Sequence, residues 1–402
     1  MTPVAPPFSR RTDWPGGENA LTQAVAERRR RNLPVVDLTE SNPTRVGLEL
    51  PLAEVAQALN CADNGRYAPE PFGLLHARQA LAREVYRDRV AARQVVLTAS
   101  TSEAYAFLFK LLCDPGDEVL VPAPSYPLFE YLAGLESVVP VPCPARPVGG
   151  DWPVDVAELE RRCTPRTRAL LVVSPHNPTG AVLRREELNG IADLCARRGL
   201  ALIADEVFAD TWTPRAHAAG DRVESVAGET RCLTFALGGL SKACLLPQLK
   251  LGWMAVSGPE PALSQALERL EVIADTWLSV GTPVQQALPR LLQLKPAIQA
   301  ALRQRLEANR AALEAAFRNT EVTVLPADGG WSAVLRVPCG EGEEALALDL
   351  IEREGLIVHP GYFFDFPSEG WLVVGLLLPT DVFADALHRL AHHVLQEAGT
   401  EA

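Results

Sequence analysis

Residues 169–206 read ALLVVSPHNPTGAVLRREELNGIADLCARRGLALIADE. Two apolar runs, Ala169–Val173 and Ala201–Ala204, bracket a stretch, Arg185–Arg198, whose apolar positions fall at helical spacing. Both runs are apolar throughout rather than alternating, which suits strands covered on both faces. Strand, helix, strand is the unit of a parallel sheet, because a crossover must carry the chain back to the same end. Polar residues gather where each run stops: Ser174-Pro175-His176-Asn177-Pro178-Thr179-Gly180 after the first, and Asp205-Glu206 after the second.

The same alternation extends outward from about residue 75 to 257. It predicts helices over Leu74–Arg89, Ser102–Leu112, Pro127–Leu135 and Val154–Cys163. It predicts further strands over Gln94–Thr98, Glu118–Val121, Val138–Val141 and Cys232–Ala236. Pro140 confines its strand to an edge or a strand end, and Asp114-Pro115-Gly116-Asp117 is a helix stop and turn. The expected class is α/β, with a large domain built on a mostly parallel mixed sheet covered by helices. After Gly258 the pattern changes. A long helix is expected over Lys295–Asn319, then short strands (VTVL, SAVLRV, LIVH, WLVVGLLL) interleaved with helices near 343–353 and 380–397. That describes a smaller α+β domain, joined by the N-terminal arm. The expected division is 1–45 for the arm and part of the small domain, 46–290 for the large domain and 291–402 for the small one. The first 17 residues read as a loose arm. The helix after them, Glu18–Arg31, ends in Arg28 to Arg31, cations that suit a helix C-terminus.

Composition narrows the function classes. The chain has 402 residues, 48% apolar and 22% charged, which excludes wholesale disorder. Its 38 basic and 50 acidic residues leave a net charge of −12, so nucleic acid and anionic membranes are poor general partners. None of the eight cysteines lies at metal-knuckle or redox-pair spacing, which points to reduced thiols and no metal site. No apolar run reaches membrane-spanning length and the N-terminus lacks a signal core, so a cytoplasmic protein is expected.

Ligands of open α/β sheets collect at the carboxyl ends of the strands, and four such ends carry chemistry here. Ser100-Thr101-Ser102 begin a helix directly after a strand, where free N–H groups and hydroxyls suit a phosphate or simply cap the helix with Glu103. Asn177 sits in a turn and can donate to a ligand oxygen. Asp205-Glu206 end an apolar strand, where acids are costly unless paired, in a salt bridge, a cap or against a cationic ring nitrogen. Gly238-Gly239-Leu240-Ser241-Lys242 presents a lysine on a Gly-rich loop, with Lys250 eight residues on. Desolvation can make such a lysine a Schiff-base former. Tyr126, in Pro124-Ser125-Tyr126-Pro127, offers an aromatic face. One ligand suits all of these together: pyridoxal 5'-phosphate.

The segments RYAPEPFGLLHARQALA, TASTSEAY, DPGDEVLVPAPSYPLF, SPHNPTG, IADEVFAD, LSKACLLPQLKLGW and HPGYFFDF occur in this order. Over about residues 35 to 395 the chain resembles the class I/II aminotransferases, pyridoxal-phosphate enzymes of the aspartate-aminotransferase fold (fold type I). The resemblance implies transfer of an amino group between an amino acid and a 2-oxo acid. It makes Lys242 the Schiff-base lysine and proton shuttle, Asp205 the partner of the pyridinium nitrogen, and Asn177 both the donor to the ring oxygen and a contact to the substrate carboxylate. Tyr126 becomes the ring stack, and Ser100, Thr101, Ser102 and Lys250 the phosphate cup. It implies a homodimer in which Tyr67 reaches the neighbouring subunit's phosphate, and a substrate-closing segment around Asn42. Phe363 is a candidate wall of the substrate pocket, with a core role as its alternative. Four departures stand out. Phe208 replaces a usual tyrosine beside the ring oxygen, Gly239 replaces a serine, Lys250 replaces a phosphate-binding arginine with a cation that is not a bidentate fork, and Val373 stands where a carboxylate-binding arginine is usual. Arg45 and Arg336 are the replacement candidates. The departures keep a second outcome open on the same cofactor: a lyase, cyclase, decarboxylase or oxidase. A ligand-sensing regulator would need a DNA-binding domain, for which the residues before Val35 are too few.

Overall fold

The computed structural model describes residues 8–399 except Pro15 and Glu341. After a short β1 (Val36–Asp37), seven strands make the large sheet. They are β2 (Val95–Thr98), β3 (Glu118–Ala123), β4 (Val139–Pro144), β5 (Thr167–Val173), β6 (Ala201–Asp205), β7 (Thr234–Gly239) and β8 (Gly252–Ser257). Their order is β2-β8-β7-β6-β5-β3-β4, parallel except for β8, which runs antiparallel to both its neighbours. Alternate residues feed two cores. Leu170, Leu202 and Ala236 pack on one face, and Leu171, Ile203, Phe235 and Leu237 on the other. Burial on both faces is why these strands read as continuous apolar runs. Prolines 140, 142 and 144 lie in β4, the edge strand, where a missing N–H costs no ladder bond.

The C-terminal part adds β9 (Thr323–Val324), β10 (Ser332–Arg336), β11 (Leu356–Ile357), β12 (His359–Pro360) and β13 (Trp371–Gly375). Four of these form an antiparallel sheet ordered β12-β13-β10-β9, while β11 pairs with β1. Buried Glu343 pins this part together. Its carboxylate accepts the backbone N–H groups of Tyr362 (2.7 Å), Gly370 (3.0 Å) and Trp371 (2.9 Å).

Three boundaries differ from the sequence expectation. The helix expected over Leu74–Arg89 stops at Glu84, and Arg87 and Asp88 turn left-handed (φ 49° and 57°). The turn buries Tyr86, whose hydroxyl donates to the Ala236 carbonyl at 3.1 Å. The long helix starts at Thr282, not Lys295, and runs to Ala316 through Pro289 and Pro296. Buried Val284, Leu288, Leu291, Leu292, Ile298 and Leu302 keep helical spacing across both prolines, and that burial outweighs the lost hydrogen bonds. This helix crosses residue 290, where the sequence places a domain boundary. The strand expected over Cys232–Ala236 is β7, shifted to take in Gly238 and Gly239. In the arm, Met1–Pro7 lie outside the described residues. Beyond them Trp14 packs edge-on against Tyr131, with ring centroids 5.5 Å apart, and Arg11 donates to the Leu135 carbonyl. Of the basic run, Arg28 donates to the carbonyls of Pro34 and Glu352, a structural use.

Candidate active site

The carboxyl ends of β5, β6 and β7 converge on one place. Asp205, the last residue of β6, is 8% exposed. It accepts hydrogen bonds from the Tyr105 hydroxyl (2.9 Å) and the Val207 N–H (3.1 Å). Burial raises its pKa, an effect opposed by those two donors and by the charge of Lys242. Burial likewise pushes the Tyr105 hydroxyl well up, and the Asp205 charge adds to the effect. Its neighbour Glu206 turns the other way. It accepts from Ser225 Oγ (2.7 Å) and the Val226 N–H (2.6 Å), and burial lifts it to about 7. The two acids therefore divide the readings between them. Glu206 ties down the loop at Ser225–Val226, and Asp205 feels the charge of Lys242.

Lys242 lies in the short helix Leu240–Ala243 directly after β7. Its Nζ sits 4.8 Å from the centroid of the Trp331 ring and 5.9 Å from that of Phe208. The two rings meet edge-on at 5.0 Å. Removal from water lowers the lysine's pKa. Asp205 opposes the shift and Lys250 adds to it. An amine held in such a slot carries more of the neutral form that a nucleophile requires.

Ser100 caps the helix Thr101–Leu112, its Oγ accepting the Glu103 N–H at 3.2 Å. Glu103 answers by accepting the Ala99 N–H (2.7 Å) and the Ser279 hydroxyl (2.6 Å). The capping reading is thus realised, and the hydroxyl of Ser100 still has its proton to donate outward. Thr101 is half-buried and Ser102 exposed at the same helix end. Gly252 makes this closeness possible, since a Cβ there would lie 2.8 Å from the Ser100 carbonyl carbon. Lys250 is exposed, in a left-handed conformation (φ 51°).

Tyr126 is 40% exposed and sits edge-on to Phe129 at 5.9 Å; the charge of Asp205 helps raise its pKa after desolvation. Asn177 is half-buried in the turn after β5. Beside it, His176 accepts or donates a hydrogen bond with Thr179 Oγ1 at 2.9 Å, and burial drives its pKa down to about 4. A histidine with a lowered folded pKa binds fewer protons folded than unfolded between those two values. Its contribution to stability is therefore complete above about pH 6.5 and lost on the way down to pH 4. Replacing His176 with Gln should flatten that part of the stability profile by roughly 2 to 3 kcal/mol. Denaturant melts of both proteins at pH 7 and pH 4.5 check this, and parallel losses in the two would contradict it.

Not every expected residue gathers here. Tyr67 is 80% exposed, in a groove with Ser279 and Thr282 rather than beside Lys242. Asn42 uses its side-chain oxygen locally, accepting from the Thr44 N–H and hydroxyl. Phe363 is half-buried against His359 and Tyr362. Val373 is buried in β13, 2% exposed, in an apolar cluster with Trp152, Val334, Phe364 and Trp371. Arg336 is committed elsewhere, with its guanidinium over the Trp371 ring and bonded to the Glu369 carbonyl. Arg45 is exposed. Tyr105 and Trp331 carry no role in the sequence reading. Their partners, Asp205 and Lys242, lie 100 and 89 residues away in the chain, and no local pattern marks such contacts.

Residues 34–390 match the family described as aminotransferase class I and II. The chain belongs to that family. The alanine aminotransferase of Mycobacterium tuberculosis is 30% identical over 383 residues, covering 90% of this chain and 86% of its own. The arginine–pyruvate transaminase of Pseudomonas aeruginosa is 31% identical over 355 residues, 85% of each. In fold, the alanine aminotransferase of Pyrococcus furiosus superimposes with a TM-score of 0.87 at 23% identity, over 97% of this chain and all of that one. The chain is an aminotransferase of fold type I, in a family that depends on pyridoxal phosphate. The residues present fit that group. A buried carboxylate faces an amine in an aromatic slot, and a hydroxyl-lined helix end stands with a lysine close by. Among the described residues, no helix of this aminotransferase is long and apolar enough to cross a membrane.

Proposed function

We propose that this aminotransferase works through Lys242, whose amine holds the aldehyde of pyridoxal phosphate and then moves the substrate's Cα proton. The observation that carries the reading is geometric: Asp205 is buried at the end of β6 and held by Tyr105 and Val207, and on the neighbouring β7 the chain leads directly to Lys242, whose amine sits between Trp331 and Phe208. Bound there, the cofactor acts as an electron sink that stabilises charge at the substrate Cα. The chain does the rest. Asp205, held by Tyr105 and Val207, keeps a negative charge against the ring nitrogen. Tyr126 covers the ring face, and Asn177 donates to the ring oxygen. Phe208 gives that oxygen no hydrogen bond and instead walls the lysine slot with Trp331. Ser100, Thr101, Ser102 and Lys250 hold the phosphate, where the helix N-terminus favours an anion. Trp331 and Phe208 exclude water from Nζ, so that the amine returns to its neutral form between proton transfers.

Tyr67, exposed in its own chain, supplies a further phosphate contact to a second copy, so the working form is a homodimer; eight cysteines free of disulfides support a cytoplasmic setting for it. Asn42 and Phe363 lie on the substrate side. The division at residues 45 and 290 remains our reading of the domains. The names of the two relatives point to alanine and pyruvate as the first pair to try. Adding L-alanine alone to the holoenzyme should replace the cofactor's visible band with that of its aminated form and release pyruvate. A product other than an oxo acid, with no aminated cofactor, would move the assignment to a lyase or oxidase on the same fold.

A further inference from the structure

The proposed site has an imbalance of charge. An amino acid brings a carboxylate, yet among the described residues the cations whose charge acts on Asp205 and Lys242 are Lys242 itself, which is the reactive amine, and Lys250, at the phosphate end. Arg336 is tied to Trp371 and Glu369. Position 373 holds a valine packed among aromatic rings.

The residue paired with Val373 across the β12–β13 ladder is His359. Paired residues project from the same face of a sheet. On this face Val373 packs with Val334, Trp371, Phe364 and Phe366. The His359 ring is half-buried, 5.4 Å from Phe363 and 5.6 Å from Phe364. Phe364 in turn accepts the Ser125 N–H at 2.7 Å, which brings this segment against Tyr126. The imidazole makes no hydrogen bond with any described residue. Its segment is nonetheless fixed, because Glu343 holds the Tyr362 N–H on one side and the Gly370 and Trp371 N–H groups on the other.

We propose that His359, as imidazolium, is the group that receives the substrate's carboxylate. This rests on the aminotransferase reading of the site given above. The proton that charges the ring comes from solvent, and binding an anion stabilises it there. Burial holds the pKa of the free ring below the usual histidine value and the charge of Asp37 on β1 opposes that shift, so it is the bound anion that draws the proton onto the ring. Val373 and Leu372 across the ladder and the rings of Phe363 and Phe364 bring no charge. The hydroxyl of Tyr362 is committed to Glu344 at 3.0 Å. A cation of this kind weakens as pH rises, so affinity for acids falls toward alkaline pH while affinity for plain amines does not.

The test uses the holoenzyme and two amines that differ by one carboxylate: 2-methylalanine, which has no Cα proton and cannot be carried on, and isopropylamine. Each is titrated by the shift of the cofactor's absorbance. His359→Gln should weaken 2-methylalanine by about 30-fold, the size expected for a lost charge-assisted hydrogen bond, and leave isopropylamine within twofold. His359→Arg should recover most of the affinity for the acid and remove its pH dependence. Unchanged binding of 2-methylalanine in His359→Gln overturns the proposal. Equal weakening of both ligands also overturns it, since that is the mark of a packing role. Failure of the wild-type protein to take up cofactor through Lys242 is a separate result, and it would overturn the underlying reading.

Discussion

The Lys242→Ala variant takes up cofactor but does not hold it covalently, and its kcat/KM falls by about 10⁵ or more, the scale of a lost nucleophile and proton carrier together. Borohydride treatment fixes the cofactor to the wild-type chain and leaves the variant unlabelled, as read by mass spectrometry of the intact protein. The loss is that large because, among the described residues, no other amine sits between Trp331 and Phe208 to substitute. Lys250 is the second lysine whose field reaches the site, and it lies exposed at the phosphate end. The fold should survive the change. Lys242 ends in an aromatic slot and its Nζ makes no hydrogen bond with any described residue, so alanine leaves space without orphaning a hydrogen-bond partner. Turnover within tenfold of wild type would remove Lys242 from the mechanism.

The second large effect separates stability from activity. Asp205→Asn should lower kcat by about 10³, because a neutral amide cannot hold a proton on the ring nitrogen. The same variant should be at least as stable as wild type in the cofactor-free state. Asp205 is a carboxylate held out of water with two hydrogen bonds and a lysine facing it, and burial is the largest influence on its proton affinity. Removing a charge so confined relieves a desolvation cost, while the amide oxygen can still accept the Val207 N–H and the amide NH2, in the other position, donates to the Tyr105 hydroxyl oxygen. Denaturant melts of the apo forms and steady-state rates of the holo forms read the two quantities independently. A destabilised variant with near-normal kcat would reverse both halves of the argument.

Asp205 was legible in the sequence because four apolar residues run straight into an acid, a cost that demands a reason. Lys242 was legible because a Gly-rich loop follows an apolar strand. The parallel sheet was legible because strands covered on both faces leave no polar alternation. What escaped depends on distant parts of the chain meeting. Tyr105 reaches Asp205, and Trp331 reaches Lys242, only through tertiary packing. His359 gains its meaning from ladder register, which a two-residue strand does not announce. The long helix begins thirteen residues before its expected start, and Pro289 and Pro296 lie inside it, where an interior proline costs a hydrogen bond. Burial on one side of that helix overrules them. Val373 stands where the resemblance implies an arginine, and the structure gives it a positive content: it completes an apolar cluster with Trp152, Phe364 and Trp371.

The helix Thr101–Leu112 touches both ends of the proposed cofactor site. Its first residues line the phosphate end, and one turn later Tyr105 ties Asp205 at the ring-nitrogen end. Four residues of α-helix rise about 6 Å and do not stretch. The separation between anion seat and carboxylate is therefore set by a rigid gauge rather than by two independent loops. A vitamin-B6 compound without its phosphate could satisfy one end of that gauge and would leave the other empty. Discrimination among forms of the vitamin then needs no dedicated gate, because length alone performs it.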